Sequence, residues 1–163
     1  MAELVTFTHT ASVLQEYAEA VEALYRDKLI EKGHNASYNL LQSVHTEVKV
    51  GDRSVAVDMT LADYWKYIEY DTKPHIIPLD ALLKWVKIKP ILPVPDANGR
   101  IPTPKQLAFL IGRKIAREGT KGTHSLEESV RYINAQYESK IADAITADIG
   151  DAASAIITTF ARV

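Results

Sequence analysis

Hydrophobic positions recur at helical spacing from about residue 10 to residue 32. Val13, Tyr17, Ala20, Val21, Leu24 and Leu29 share one side, and Glu16, Glu19 and Glu22 decorate the other. Thr10 or Ser12 is expected to cap this helix, and Gly33-His34-Asn35 to end it. From Leu40 to Val50 the period changes to two. Val44, Thr46, Val48 and Val50 alternate with His45, Glu47 and Lys49, which predicts a half-buried strand. Gly51-Asp52 is a hairpin turn signal, and Ser54 to Leu61 repeats the alternation through Val55, Val57 and Met59. Two strands alone are marginal, so they need a third strand, a helix or a neighbouring subunit.

The next segment crowds Tyr64, Trp65, Tyr67 and Tyr70 together in a chain with only 13 aromatics. Large rings bury much area at low entropy cost, so the cluster predicts a core or interface anchor. Asp63 is expected to cap a short helix through about Tyr70. Pro74 and Pro78 then break the chain, and Leu79 to Lys89 reads as a helix capped by Asp80 and carrying Leu82, Leu83, Trp85 and Val86. Residues 90–104 hold five prolines and the turn Asp96-Ala97-Asn98-Gly99, a loop of restricted backbone. Pro104, with Thr103 as cap, opens a helix with Leu107, Phe109, Leu110, Ile111 and Ile115 that closes at Gly119. After a basic link, Ser125 and Glu128 form a capping-box pattern before Leu126, Val130, Ile133, Tyr137, Ile141, Ile145 and Ile149. Gly150-Asp151 is expected to end that helix, and Ala152 to Phe160 to form a strand completing the sheet. The predicted fold is α+β: a small antiparallel sheet built on a β-hairpin, packed by an N-terminal helix, two inserted helices and a long C-terminal helix. The expected organisation is one domain, 1–163, with a helical, proline-rich insertion at about 74–122.

The net charge of −2 conceals a division along the chain. Residues 1–80 carry a net −6, residues 81–122 a net +7 and residues 123–163 a net −3. The basic middle suits a polyanion such as DNA, or the acidic part of a neighbouring copy; its simplest alternative is a solvated helix face. With no cysteine, disulfides and thiolate metal sites are excluded. The first ten residues lack the basic start and apolar run of a signal peptide, and no stretch approaches a membrane span.

Motifs for chemistry are missing. The five histidines form no short ligand pair, and no Gly-rich phosphate loop, dinucleotide fingerprint or nucleophile elbow occurs. Gly119 and Gly122 flank a lysine but follow a helix rather than a strand, which excludes a P-loop. The adjacent carboxylates Glu127-Glu128 and Glu69/Asp71 are better explained by capping and turn formation than by acid–base work. Residues 104–121 resemble the opening of a helix-turn-helix, but the helix that follows begins Ser125-Leu126-Glu127-Glu128, an acidic start that DNA would repel.

The order of parts is similar to the tail-completion, or neck, proteins of tailed bacteriophages. Leu40-Leu41-Gln42-Ser43-Val44 resembles that family's entry into its hairpin. Tyr64-Trp65-Lys66-Tyr67-Ile68-Glu69-Tyr70-Asp71-Thr72 resembles its aromatic element, with Trp65 for a small residue and Asp71 for glycine. Gly119-Thr120-Lys121-Gly122-Thr123-His124-Ser125-Leu126 resembles its late Gly-Thr segment. The insertion is similar to versions in crAss-like phages of gut Bacteroidetes, and the resemblance covers roughly residues 38–149.

The resemblance implies a structural virion protein, not an enzyme, without catalytic residues, metal or cofactor. It implies a closed homo-oligomeric ring, twelve-fold or six-fold, between the portal and adjacent neck or tail proteins. It implies a place in the virion neck after synthesis in the host cytoplasm, possible non-specific contact with packaged DNA, and no membrane or small-molecule substrate. Tyr64, Trp65, Tyr67, Glu69, Tyr70 and Trp85 are the candidate interface or core anchors. Lys84, Lys87, Lys89, Arg113, Lys114 and Arg117 are the candidate contacts to channel DNA or to an acidic partner. The alternative is a nucleic-acid-binding accessory protein using residues 84–121; a small enzyme has no positive motif.

Overall fold

The computed structural model describes residues 6–33, 39–52, 54–89, 91, 93–95 and 97–160. Its elements are α1 (Thr8–Glu31), α2 (Asn39–Ser43), β1 (His45–Val50), β2 (Val55–Thr60), α3 (Trp65–Glu69), α4 (Leu79–Ile88), α5 (Pro104–Glu118) and α6 (Ser125–Phe160). The fold is α+β. Its sheet is a two-stranded antiparallel hairpin in which Val48 faces Val57 and Thr46 faces Met59. The apolar row expected from the alternation therefore lies on one face.

The hairpin is held by α1. Glu22 Oε2 accepts hydrogen bonds from the N–H of Thr46 (2.8 Å) and from its hydroxyl (2.9 Å), while Arg26 donates to the carbonyl of Val44 (2.6 Å). One edge of β1 thus meets a helix side chain instead of water, which answers the need of a lone hairpin for support. Tyr25 and Leu29 of α1 bury with Leu40 and Val44, and Trp65, Ile68 and Leu126 pack around them. A second small core joins Leu82 and Val86 of α4 to Ala108 of α5. Here Gly112 lets the two helices close in, since a Cβ would stand 2.9 Å from a methyl of Leu82.

Helices α1 and α6 run antiparallel. Lys28 meets Glu128 at 2.7 Å near one end, the rings of Tyr17 and Tyr137 meet edge to face at 5.9 Å, and Thr10 meets Asp148 at the other end. Neither Thr10 nor Ser12 caps α1. The cap position is Phe7, which has no side-chain bond to give. Asp148 acts instead from α6: its Oδ1 accepts from the N–H of His9, and its Oδ2 from the N–H and hydroxyl of Thr10.

Several other expectations are corrected. Residues 40–43 are helical, so the strand starts later than the alternation implied. Asp63 does not cap α3, whose cap position is Tyr64, and Asp80 lies inside the first turn of α4 behind Pro78. Thr103 and Gln106 do form a reciprocal capping box on α5, and Gly119 closes it. The stop after α1 is Gly33 with φ of 70°; His34 and Asn35 lie outside the described residues, as does Asp96 of the predicted turn.

The largest correction concerns residues 152–160. They continue α6 rather than adding a strand, giving a helix of 36 residues, roughly 54 Å long. Alanines at 152, 153 and 155 favour the helix. The β-branched Thr158 and Thr159 are accommodated by donating their hydroxyls to the carbonyls of Ser154 and Ala155. Gly150 is passed without a break.

Burial alone would raise the Asp148 carboxyl, but the bonds from Thr10 and His9 outweigh it and hold the group below its ordinary value. A depressed folded pKa means that the unfolded chain takes up the proton first. The contribution of Asp148 is therefore complete above an unfolded pKa of about 3.9 and is lost as pH falls toward the lower folded value. Asp148→Ala is expected to destabilise the fold by about 1–2 kcal/mol at pH 7. In urea titrations that gap should shrink when the pH is taken below the ordinary aspartate pKa.

Candidate interaction surface

Two of the segments singled out in the sequence, 64–72 and 119–126, lie against each other. Thr72 donates its N–H to the carbonyl of Thr120 (2.9 Å), and their hydroxyls meet at 2.7 Å. The N–H of Thr123 reaches the carbonyl of Ile68 and that of His124 the carbonyl of Glu69. Asp71 Oδ1 accepts from the N–H of Gly122 at 2.7 Å. Residues 72 and 120 form an isolated antiparallel bridge, so the insertion leaves and returns at one point.

The contact requires glycine. At Gly122 a Cβ would stand 2.3 Å from the carbonyl oxygen of Glu69, and at Gly119, where φ is 76°, 1.9 Å from that of Thr72. Asp71 is not in the left-handed region; among the described residues the non-glycine residue that is there is His124, with φ of 51°. Asp71 therefore serves where the resemblance suggests glycine.

Glu69 closes the clasp from inside. It is 1% exposed, and its two carboxylate oxygens accept the N–H groups of Leu126 and Glu127, each at 3.0 Å. These are unpaired donors in the first turn of α6, where the helix dipole favours negative charge. The expected capping box of Ser125 and Glu128 does not form. Glu128 instead binds Lys28 and Lys32 of α1, whose hydrogen bonds hold its carboxyl below the usual range. The hydroxyl of Tyr25 is pushed well above its ordinary value by burial and, secondarily, by the Glu69 charge.

Above the clasp, α3 faces the α4–α5 pair across an apolar cleft of about 490 Å³. Tyr64, Tyr67 and Ile68 line one side; Ile77, Trp85, Ile88, Ile111 and Ile115 line the other. Lys89 and Lys121 sit at its rim, the Lys89 ammonium lying 5.3 Å from the centre of the Trp85 ring.

The predicted anchors divide among four places. Trp65 packs on the main core and Glu69 caps α6. Tyr64, Tyr67 and Trp85 line the cleft, Tyr67 with 71% of its surface in solvent. Tyr70 stands on the clasp, its ring 5.9 Å from Trp65 and 6.5 Å from His124. Of the predicted basic contacts only Lys89 enters the cleft. Lys84, Lys87, Arg113, Lys114 and Arg117 are exposed, and Arg117 is paired with Glu118.

Sequence reasoning missed a second apolar surface, where Val94, Ile101, Phe109 and Leu110 lie exposed beside Arg100 and Lys105. Its signal was available: α5 carries apolar residues at 107, 109, 110, 111 and 115, more than one partner helix can cover. Among the described residues no cluster of His, Asp or Glu suits a metal ion, and no helix is long and apolar enough to cross a membrane. No protein-family model, curated protein or solved structure matches the chain.

Glu69→Gln keeps the shape but removes the charge and one acceptor. It is expected to destabilise the protein by about 1–3 kcal/mol. Gly122→Ala should cost more than about 1 kcal/mol, because the neighbouring atoms are backbone. Denaturant unfolding followed by circular dichroism measures both. Values near zero would show that the clasp is not under stress.

Proposed function

We propose that this chain is a structural protein of a tailed-bacteriophage neck, a ring component joining portal and tail around the DNA. The observation that carries this reading is the clasp. The aromatic and Gly-Thr segments on which the family resemblance chiefly rests are partners in space, joined through Glu69 and Thr72. Elements separated by about 50 residues that each resemble a part of that family thus lie together in one structural unit.

Assembly rather than chemistry is also what the surface offers. Exposed Tyr64, Tyr67, Trp85 and Ile88 line an apolar cleft, and large rings of this kind anchor interfaces. The acidic first 80 residues and the basic insertion carry opposite net charge, which would suit a contact between copies. A basic surface around the channel would touch packaged DNA without reading its sequence.

Native mass spectrometry and light scattering test the ring, on the protein alone and bound to portal. A single closed stoichiometry is expected; open-ended or absent assembly in both settings contradicts the reading. The +7 charge of residues 81–122 favours a second reading, a nucleic-acid-binding accessory protein. A duplex-binding titration across a salt series separates the two. The neck reading predicts affinity no tighter than the ordinary non-specific range, about 10⁻⁴ to 10⁻⁶ M at physiological salt. Reversing the charge at Arg113, Lys114 and Arg117 together should then weaken retention of packaged DNA in assembled particles while leaving the fold intact.

A further inference from the structure

The loop between α4 and α5 carries the one Asn-Gly pair of the chain. Of the four asparagines, Asn35 and Asn134 precede alanine, Asn39 precedes leucine and Asn98 precedes Gly99. Asn39 opens α2, and Asn134 lies inside α6, where its side-chain oxygen accepts the hydroxyl of Tyr17 at 2.7 Å. Asn98 instead stands in a turn, exposed together with Ala97, Gly99 and Arg100. Gly99 has φ of 74°, and a Cβ built on it would meet nothing within 4 Å.

These features bear on a reaction of the chain with itself. The backbone nitrogen that follows an asparagine can close an imide ring on the side-chain carbonyl carbon. A side chain on the following residue hinders that closure, and a hydrogen-bonded helix holds the two atoms apart. Glycine removes the first obstacle. An exposed loop removes the second.

We propose that Asn98 is a site of spontaneous deamidation. The Gly99 nitrogen gives its proton to a solvent base and bonds to Cγ of Asn98. The Cγ–Nδ2 bond breaks, and ammonia leaves, taking up a proton in exchange. Water then opens the imide. Breaking the bond from nitrogen to Cγ gives aspartate, and breaking the bond from nitrogen to the backbone carbonyl carbon gives isoaspartate. Neither step oxidises or reduces any group, and water is the sole co-reactant. Both products put a carboxylate next to Arg100, at the edge of the apolar surface of Val94, Ile101, Phe109 and Leu110. The net charge of residues 81–122 falls from +7 to +6, so an aged molecule has a less basic insertion than a new one. Isoaspartate also lengthens the loop backbone by a methylene. The inference goes beyond the neck reading and does not depend on it.

Incubating the intact protein at mildly alkaline pH beside a synthetic peptide of residues 88–100 tests this. Tryptic digestion and mass spectrometry read the gain in mass from amide to acid. An exposed turn opens at a free energy near zero, so residue 98 should convert at a rate within about tenfold of the peptide's. The peptides that hold Asn39 and Asn134 should keep their amides. Ion exchange of the whole protein should show a growing acidic species, and Asn98→Gln, whose longer side chain closes the ring far less readily, should show none. Slower conversion than that, or none, in the folded protein would overturn the proposal. So would an equal drift in charge of Asn98→Gln.

Discussion

The carboxylate of Glu69 sits where three separately encoded pieces of chain meet. It ends the aromatic helix, lies near enough to Tyr25 of the main core to disfavour ionisation of its hydroxyl, and accepts the first free N–H groups of a 36-residue helix. A buried carboxylate without partners would be costly, and a helix end without a cap would leave donors unsatisfied. Each resolves the other. Because α6 then packs along α1, and α1 braces the hairpin through Glu22 and Arg26, the placement of this one acid propagates through the fold.

A second remote acid repeats the device at the opposite end of the long pair. Asp148 of α6 caps α1, as Glu69 of α3 caps α6. Both helices lack a side-chain cap from their own start in the expected form, so each depends on tertiary structure to finish its first turn. This is also why sequence reasoning misplaced the caps. Thr10, Ser12, Ser125 and Glu128 are the right residue types at the right local spacing, but local spacing cannot reveal a competing carboxylate about 55 to 140 residues away. Thr103 and Gln106, in an exposed turn with no such competitor, behave as the local rule requires.

The rest of the legibility follows the same division. The helices α1, α4 and α5 and the hairpin were readable because period and turn chemistry agree with burial. The tail was misread because Ile156, Ile157, Thr158 and Thr159 favour a strand locally, while the alanines before them and the hydroxyl bonds of Thr158 and Thr159 to the preceding turn carry the helix on. Of the candidate site, the aromatic residues were legible as a group. Their separation into core, cleft and clasp was not, since it depends on where the insertion folds back. Residues 72 and 120 are bridged beside the cleft, and Gly119 and Gly122 are the sign of that closeness in the sequence. The bridge at the base of the insertion leaves Trp85, Ile88 and Lys89 opposite Tyr64 and Tyr67 across the cleft.

Amide hydrogen exchange tests the central role of this clasp most directly. If Glu69 joins the insertion base, α3 and the start of α6 into one cooperative unit, the amides of Thr72, Gly122, Thr123, Leu126 and Glu127 exchange only with global unfolding, at the same free energy as those of Tyr25 and Leu29 in the core. Fast exchange of the five clasp amides while the α1 core stays protected would contradict it.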